Sequence, residues 1–220
     1  MEAIRTQALR RGARLEVVTV AWMVVEAAVA IGAGVAARSV LLTAFGVDSL
    51  VELLSGIVLL RRLSAEAGGR GGEGVERLER STERISAGLL VVLCAYVAVT
   101  SLAGLAFQVK PGATVLGVAV AAAAVVAMPL LALAKVRANR VIGSASLRAD
   151  IAETVTCAYM AAVTLAGLVA SMSLGFWWAQ YVASFGLLVW LVPETREAVQ
   201  AARWFASRTD NGRTSRRGAK

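Results

Sequence analysis

Long apolar runs that are almost free of charge alternate with short arginine-rich segments along the whole chain. A helix needs about 20 apolar residues to cross about 30 Å of hydrocarbon. Six windows meet or approach this length: 15–37, 39–60, 85–107, 113–134, 149–171 and 174–192. The runs are continuous rather than alternating, which excludes a transmembrane β-barrel. The sequence therefore predicts an all-α integral membrane protein with six transmembrane helices.

The composition leaves no room for a compact soluble domain. Of the 220 residues, 58% are hydrophobic and 17% are charged, against about 45–50% and about 25% in soluble domains. The first run contains Glu26 and exceeds the roughly 7–15 apolar residues of a signal peptide, so we interpret it as a retained span. The predicted organisation is a basic N-terminus (1–14), a transmembrane domain (15–192) with a cytoplasmic linker (61–84), and a basic, partly disordered tail (193–220).

The basic residues predict the orientation of the chain in the membrane. All but two of the 23 Lys and Arg residues precede the first span, follow the sixth, or lie in segments 61–84 and 135–148. Only Arg38 and Lys110 fall on the opposite face. The positive-inside rule then places both termini in the cytoplasm of a multi-pass cell-membrane protein. Attraction to anionic lipid headgroups explains the net charge of +8 better than nucleic-acid binding does.

Acidic residues inside the predicted spans are the strongest functional signal. An ionised side chain at membrane depth costs several kcal/mol and usually marks an ion or proton pathway. Glu26 lies in the first span, Asp48 and Glu52 in the second, and Glu153 in the fifth. With these span boundaries, no Lys or Arg lies at comparable depth. The acids are therefore expected to be protonated, hydrated or bound to a cation.

The spacing of these residues predicts a shared metal site. Asp48 and Glu52 are four residues apart on one helix face, and Asp150, Glu153 and Cys157 follow a single stripe of the fifth span. Two facing helices that each present such a pair can surround one divalent cation with about four ligands. The sequence therefore favours Asp48, Glu52 and Glu153 as metal ligands, with Cys157 as the fourth.

Three of the polar residues also have structural interpretations. Free cysteines such as Cys157 are commonly buried for packing. Glu26 has no acidic neighbour on its own helix, and a protonated Glu that hydrogen-bonds to another helix is as reasonable as a transport role. Asp150 can serve as an acid near a helix N-terminus, favoured by the helix dipole. Glu26 and Asp150 therefore stay as candidate accessory or proton-coupling residues.

The second and fifth spans resemble those of the cation diffusion facilitators, six-helix metal exporters. The segment SVLLTAFGVDSLVELLSG (39–56) is similar to the second helix of that family, and GSASLRADIAETVTC (143–157) is similar to the fifth. In this resemblance Asp150 matches an early Asp of the fifth-helix pattern. The positions of the four family ligands fall on Asp48, Glu52, Glu153 and Cys157.

The resemblance implies a homodimeric exporter of a divalent cation. The chain departs from the family pattern in having no histidine and in carrying Gln180 where the family usually has Asp. The tail is too short for the cytoplasmic metal-binding domain that commonly follows the sixth helix, so the resemblance is to a divergent branch that lacks it. No resident cofactor is implied, because the metal is the transported substrate.

The leading hypothesis is efflux of a divalent metal cation from the cytoplasm by proton-coupled antiport and alternating access. Zn²⁺ is the expected substrate, and Mn²⁺, Fe²⁺ and Co²⁺ stay open because affinity order alone does not choose among them. One alternative is an organic-cation or multidrug exporter in which Glu26 and Trp22 hold a lipophilic cation. Another is a non-transporting membrane scaffold with a degenerate metal site. Without histidine, a phosphate-binding loop or a nucleophile–base pair, the sequence does not favour an enzyme.

Overall fold

Six α-helices make up the part of the chain that the structure describes. The computed structural model describes the backbone of residues 2–68 and 73–217, and the side chains of 7–66, 68, 85, 87–144 and 146–200. The helices are α1 (Glu2–Ala37), α2 (Val40–Ala67), α3 (Glu73–Ala106), α4 (Val115–Ile142), α5 (Ala145–Ser173) and α6 (Ala179–Arg217). These described residues form no strand, as the continuous apolar runs predict.

Polar caps set the starts of three helices. The side chains of Ser39, Thr114 and Ser144 accept hydrogen bonds from backbone N–H groups in the first turns of α2, α4 and α5. Each cap satisfies a donor that has no partner within its own helix. Gly143 ends α4 in the left-handed conformation, with φ of 70°. Only Gly143 and Ser144 therefore separate α4 from α5, which makes these two helices a tight antiparallel hairpin.

Within the described ranges, five helices are long and apolar enough to cross a membrane, at Gln7–Ala37, Val40–Glu66, Ala87–Ala106, Val115–Ile142 and Ser146–Ser173. Large apolar side chains on their outer faces are exposed, including Val92 at 65%, Leu102 at 61% and Val126 at 62%. Such a surface suits lipid and not water. The prediction of an all-helical protein is confirmed, and the long apolar helices are compatible with a multi-pass membrane protein.

Several predicted boundaries differ from the structure. The sixth predicted span begins at Leu174, but α6 begins at Ala179, because Gly175 turns the chain with φ of 68°. The apolar part of α6 is consequently short, and α6 is not among the five candidate spans. Helices α2 and α3 occupy most of the predicted linker 61–84, whose residues 69–72 lie outside the described part. Helix α6 also continues to Arg217 through most of the predicted partly disordered tail.

Helix α2 occupies the centre of the bundle and packs against α1, α3, α5 and α6. Gly34 and Gly46 allow α1 and α2 to touch, because a side chain at Gly34 would meet the backbone of Thr43 and one at Gly46 would meet the backbone of Ile31. Successive helices run in opposite directions. The start of α1, the ends of α2, α4 and α6, and the start of α5 therefore share one end of the bundle, which we call the basic end.

At the end of the bundle opposite the basic end, Gln180 forms hydrogen bonds with two of the helix connections and with α5. This side chain is 1% exposed. Its Oε1 accepts from the Ser39 hydroxyl at 2.7 Å, and its Nε2 donates to the Gly112 carbonyl and to the Ser171 hydroxyl, each at 3.1 Å. Gln180 thus joins the α1–α2 connection, the α3–α4 connection and the end of α5. At the position where the resemblance expects Asp, the chain has a structural amide.

Candidate acidic site between α2 and α5

The contact between α2 and α5 brings the two predicted halves of the site to the same region of the bundle. Asp48 and Glu52 of α2 are 6% and 7% exposed, Cys157 of α5 is 1% exposed, and Glu153 of α5 is partly buried. We call these four residues the α2/α5 acid set. The carboxyls of Glu194 of α6, Glu52 and Glu153 all lie close enough to Asp48 to repel its charge, with Glu194 acting most strongly. Negative charge is therefore concentrated between two packed helices.

Cys157 links the acid set to α1. Its thiol donates to Glu26 Oε1 at 3.6 Å and also lies within hydrogen-bonding reach of the Glu52 carboxyl. Glu153, another member of the set, also has a polar neighbour, because Ser55 of α2 lies within hydrogen-bonding reach of its carboxyl. Two carboxylate oxygens, Glu52 Oε1 and Glu153 Oε2, are buried and have no hydrogen-bond partner among the described residues. These two atoms are free to accept a proton or a cation.

Glu26 is a hydrogen-bonded junction between helices. Its side chain is fully buried. Its Oε1 accepts from the Ser49 hydroxyl at 2.7 Å as well as from Cys157, and its Oε2 accepts from the Trp22 indole N–H. Trp22 therefore contacts Glu26 through its N–H edge. These contacts favour the interhelical hydrogen-bonded interpretation of Glu26.

A buried ion-pair cluster lies at the basic end and corrects one sequence-based expectation. The Lys135 ammonium lies 3.0 Å from Glu16 Oε1 and 2.7 Å from Asp150 Oδ2, and it donates to the Thr154 hydroxyl at 3.1 Å. The side chains of Glu16, Lys135 and Asp150 are at most 5% exposed. Lys135, which the predicted boundaries place between the fourth and fifth spans, therefore lies inside α4, but it pairs with Glu16 and Asp150 and not with the four acids predicted inside the spans. Asp150, a candidate accessory residue, is an ion-pair partner.

Neither Lys135 nor Glu16 is among the site residues predicted from the sequence. Lys135 directly follows the fourth predicted span, which ends at residue 134, whereas α4 continues to Ile142. The Gly-Ser connection contains the signal that would have revealed this pair. Lys135 lies eight residues before Gly143, and Asp150 lies seven residues after it. In a tight antiparallel helical hairpin, such positions face each other.

A cavity of about 720 Å³ adjoins the acid set. Four helices line it: α2 through Val51 and Ser55, α3 through Leu90, α5 through residues between 149 and 156, and α6 through residues between 189 and 198. Its acidic groups are Glu153, Glu194 and Glu197. We call it the acidic cavity. Burial raises the pKa of Glu194, which follows the predicted sixth span, and the neighbouring Glu197 carboxylate raises that pKa further.

The acid set is not a closed metal site in this conformation. Among the residues described, no three Cys, Asp or Glu side chains are arranged to hold a metal ion. The chain therefore presents ligand-type residues from two helices at neighbouring positions without a completed coordination sphere. Chemically, the arrangement can bind protons at its free carboxylate oxygens.

Comparisons with known proteins add no relatives to this picture. No protein-family model matches the chain, and no curated protein matches its sequence. The similarity to cation diffusion facilitators stays a resemblance of residues within α2 and α5.

Proposed function

We propose that this protein is a secondary transporter that exports a divalent metal cation, with Zn²⁺ as the expected substrate. The observation that carries the proposal is the set of carboxylates between α2 and α5, in which Glu52 Oε1 and Glu153 Oε2 are buried without hydrogen-bond partners. Asp48, Glu52 and Glu153 supply oxygen ligands, and Cys157 supplies a sulfur ligand. Glu26 contacts Cys157 and is an accessory residue of the same site.

The charge balance of the bundle supports a cationic substrate. Lys135 forms its ion pairs with Glu16 and Asp150, and its charge reaches Glu52 and Glu153 of the acid set only at longer range. No other ion pair with a buried acid is found among the described residues. Buried carboxylates without a cation must take up protons or a positive ion, because an isolated charge at membrane depth is costly. A divalent cation that displaces protons from these carboxylates couples metal movement to proton movement.

The open geometry of the acid set suits a transported ion more than a stored one. A site that must release its ion alternates between an assembled and a separated state. Rocking of α5 against α2 brings Glu153 and Cys157 towards Asp48 and Glu52 when the ion binds. The acidic cavity reaches from Glu153 to Ala149 near the start of α5, and so extends towards the basic end, which the positive-inside rule assigns to the cytoplasm. By resemblance, two copies of the chain form a dimer in the cell membrane, with α6 as the sixth span.

The proposal is tested by Zn²⁺ transport into proteoliposomes that contain the purified protein and an imposed pH gradient. Combining Asp48→Asn with Glu153→Gln is expected to abolish transport, since one ligand is lost from each helix. Glu66→Gln is the matched control, because Glu66 is an exposed acid of α2 whose partner is Arg62. Unchanged transport in the double variant would refute the proposal.

The contacts of Glu26 give little support to the alternative of an organic-cation exporter centred on this residue. The alternative of a non-transporting scaffold can be tested by metal binding. Glu26 and Trp22 bond to each other, and neither lines the acidic cavity. A Glu26→Gln variant that loses drug export while Asp48→Asn stays active would favour the alternative regardless. A chain that binds no divalent metal by calorimetry in detergent would be a non-transporting scaffold.

A further inference from the structure

We infer that the acidic cavity binds amphipathic organic cations, at a site separate from the four proposed metal ligands except for Glu153. The volume of about 720 Å³ falls within the roughly 300–1,000 Å³ of cavities that hold small organic molecules. A single metal ion needs only a few ligand atoms at about 2 Å. The metal-transport proposal therefore does not account for most of this space.

The walls of the cavity are mainly apolar, which suits an organic body. Val51, Leu90, Val189 and Pro193 contribute from three helices, and Ala149, Ala152 and Ala198 widen the space by being small. Removing an apolar ligand surface from water contributes about 25 cal/mol per Å². A bare inorganic ion would gain nothing from such walls.

The charged groups of the cavity are all of one sign. Glu153, Glu194 and Glu197 line it, and no Lys or Arg is among its described lining residues. Glu153 Oε2 and Glu194 Oε2 are both buried and have no hydrogen-bond partner in the described part of the chain. An amine, guanidinium or phosphonium group placed between them would supply the missing positive charge. Complementary charge therefore selects cations from among apolar molecules of similar size.

Trp190 adds an aromatic surface with a fixed orientation. Its indole N–H donates to the Thr156 hydroxyl at 2.8 Å, and its ring lies 5.3 Å from the ring of Tyr159. An aromatic face beside carboxylates attracts organic cations through the ring quadrupole. The Trp190 side chain is partly exposed, and Val189 beside it is 72% exposed on the outer face of α6. A lipophilic cation can thus reach the cavity laterally from the bilayer.

The test uses the purified full chain in phosphatidylcholine nanodiscs, titrated by calorimetry without any divalent metal. The probes are tetraphenylphosphonium and tetraphenylborate, which share size and shape but carry opposite charges. We expect saturable binding of the phosphonium and none of the borate. Equal binding of both ions, or binding of neither, would overturn the inference, since the cavity would then be a lipid-filled apolar slot.

Two variants locate the binding site. Combining Glu194→Gln with Glu197→Gln is expected to weaken phosphonium binding at least tenfold, and Trp190→Leu is expected to weaken it severalfold through loss of the aromatic face. Glu66→Gln should bind as the unaltered protein does. Unchanged binding in the double variant, or in Trp190→Leu if the double variant does not fold, would place the probe elsewhere. Because no metal is present, the result does not depend on the outcome of the Zn²⁺ transport assay.

Discussion

Two groups of buried acids in this bundle differ in how their charge is balanced. In the ion-pair cluster, Glu16 and Asp150 share Lys135, and three helices are joined by contacts of 2.7–3.0 Å. In the α2/α5 acid set, Asp48, Glu52 and Glu153 form no ion pair with any described residue, and the charge of Lys135 reaches Glu52 and Glu153 only at longer range. Burial alone therefore does not identify a transport site. The balance of charge around each acid separates a residue that holds helices together from one that can accept a mobile ion.

The largest expected effect comes from removing the cation of the ion-pair cluster. Lys135→Met leaves Glu16 and Asp150 buried without a counter-charge, and loss of one partner of a buried ion pair costs about 3–5 kcal/mol. We expect a low yield of folded protein and a strongly reduced Tm in detergent, measured by thermal unfolding. Lys110→Met is the control, because Lys110 is exposed in the α3–α4 connection.

A triple variant determines whether the unpaired charge causes that loss. Adding Glu16→Gln and Asp150→Asn to Lys135→Met removes all three charges, and most of the lost stability should return. If Lys135→Met unfolds at the same temperature as the unaltered protein, the ion-pair cluster does not hold the helices together. The comparison between the two groups would then fail.

Neutralising the acid set should reduce transport while leaving stability intact, in contrast to Lys135→Met. Asp48→Asn and Glu52→Gln each remove a buried carboxylate without breaking an ion pair, so the free energy of unfolding should stay the same or rise. Zn²⁺ transport should fall by about 10–100-fold or more, the range found when even indirect support of a metal ligand is lost. Transport in proteoliposomes and thermal unfolding are measured on the same samples. A stability loss as large as that of Lys135→Met would make these acids structural.

A neutral polar network should contribute less than the ion-pair cluster. Gln180→Ala removes the hydrogen bonds to the Ser39 hydroxyl, the Gly112 carbonyl and the Ser171 hydroxyl. We expect a loss of about 1–2 kcal/mol, because each neutral hydrogen bond contributes about 0.5–1.5 kcal/mol and some freed groups find other partners. Chemical unfolding monitored by helical circular dichroism measures it. A loss equal to that of Lys135→Met would show that charge is not what distinguishes the cluster.

The sequence predicted the all-helical fold and the five apolar helices that are long enough to span a membrane, and it placed the acids of the candidate site on two helices that do pack together, α2 and α5. Both follow from local patterns, since apolar runs predict spans and residues four apart share a helix face. The contact of Cys157 with Glu26 was not predictable in this way, because it depends on how α1, α2 and α5 pack. The same holds for the acidic cavity, which needs Glu153 of α5 and Glu194 of α6 to face one space.

Lys135 shows why a hydrophobic window misplaces a buried charge. The apolar run ends one residue before Lys135, yet the helix continues because nothing breaks it before Gly143. An ion pair between two helices cannot be recognised from the hydropathy of either helix alone. The sequence indicates this pair only through the similar distances of Lys135 and Asp150 from the Gly-Ser connection.

The smallest expected effect concerns Glu194, which is not a member of the α2/α5 acid set but lies close enough to repel Asp48 and Glu153. Burial raises its pKa above the ordinary value of 4.5, with repulsion from Glu197 acting in the same direction. Between pH 4.5 and the raised pKa, the folded protein holds this proton while the unfolded chain has released it. Stability from this group is therefore present below pH 4.5 and is lost as the pH rises through the raised pKa.

Glu194→Gln should remove that part of the pH dependence and leave a Tm that declines less between acidic and neutral pH. Thermal unfolding across this range compares it with Glu66→Gln, which should keep the original slope. If Glu194→Gln also keeps that slope, the Glu194 carboxyl exchanges protons freely with water. In that case burial in the acidic cavity does not shield the Glu194 carboxyl from water, and the comparison of buried acids does not extend to it.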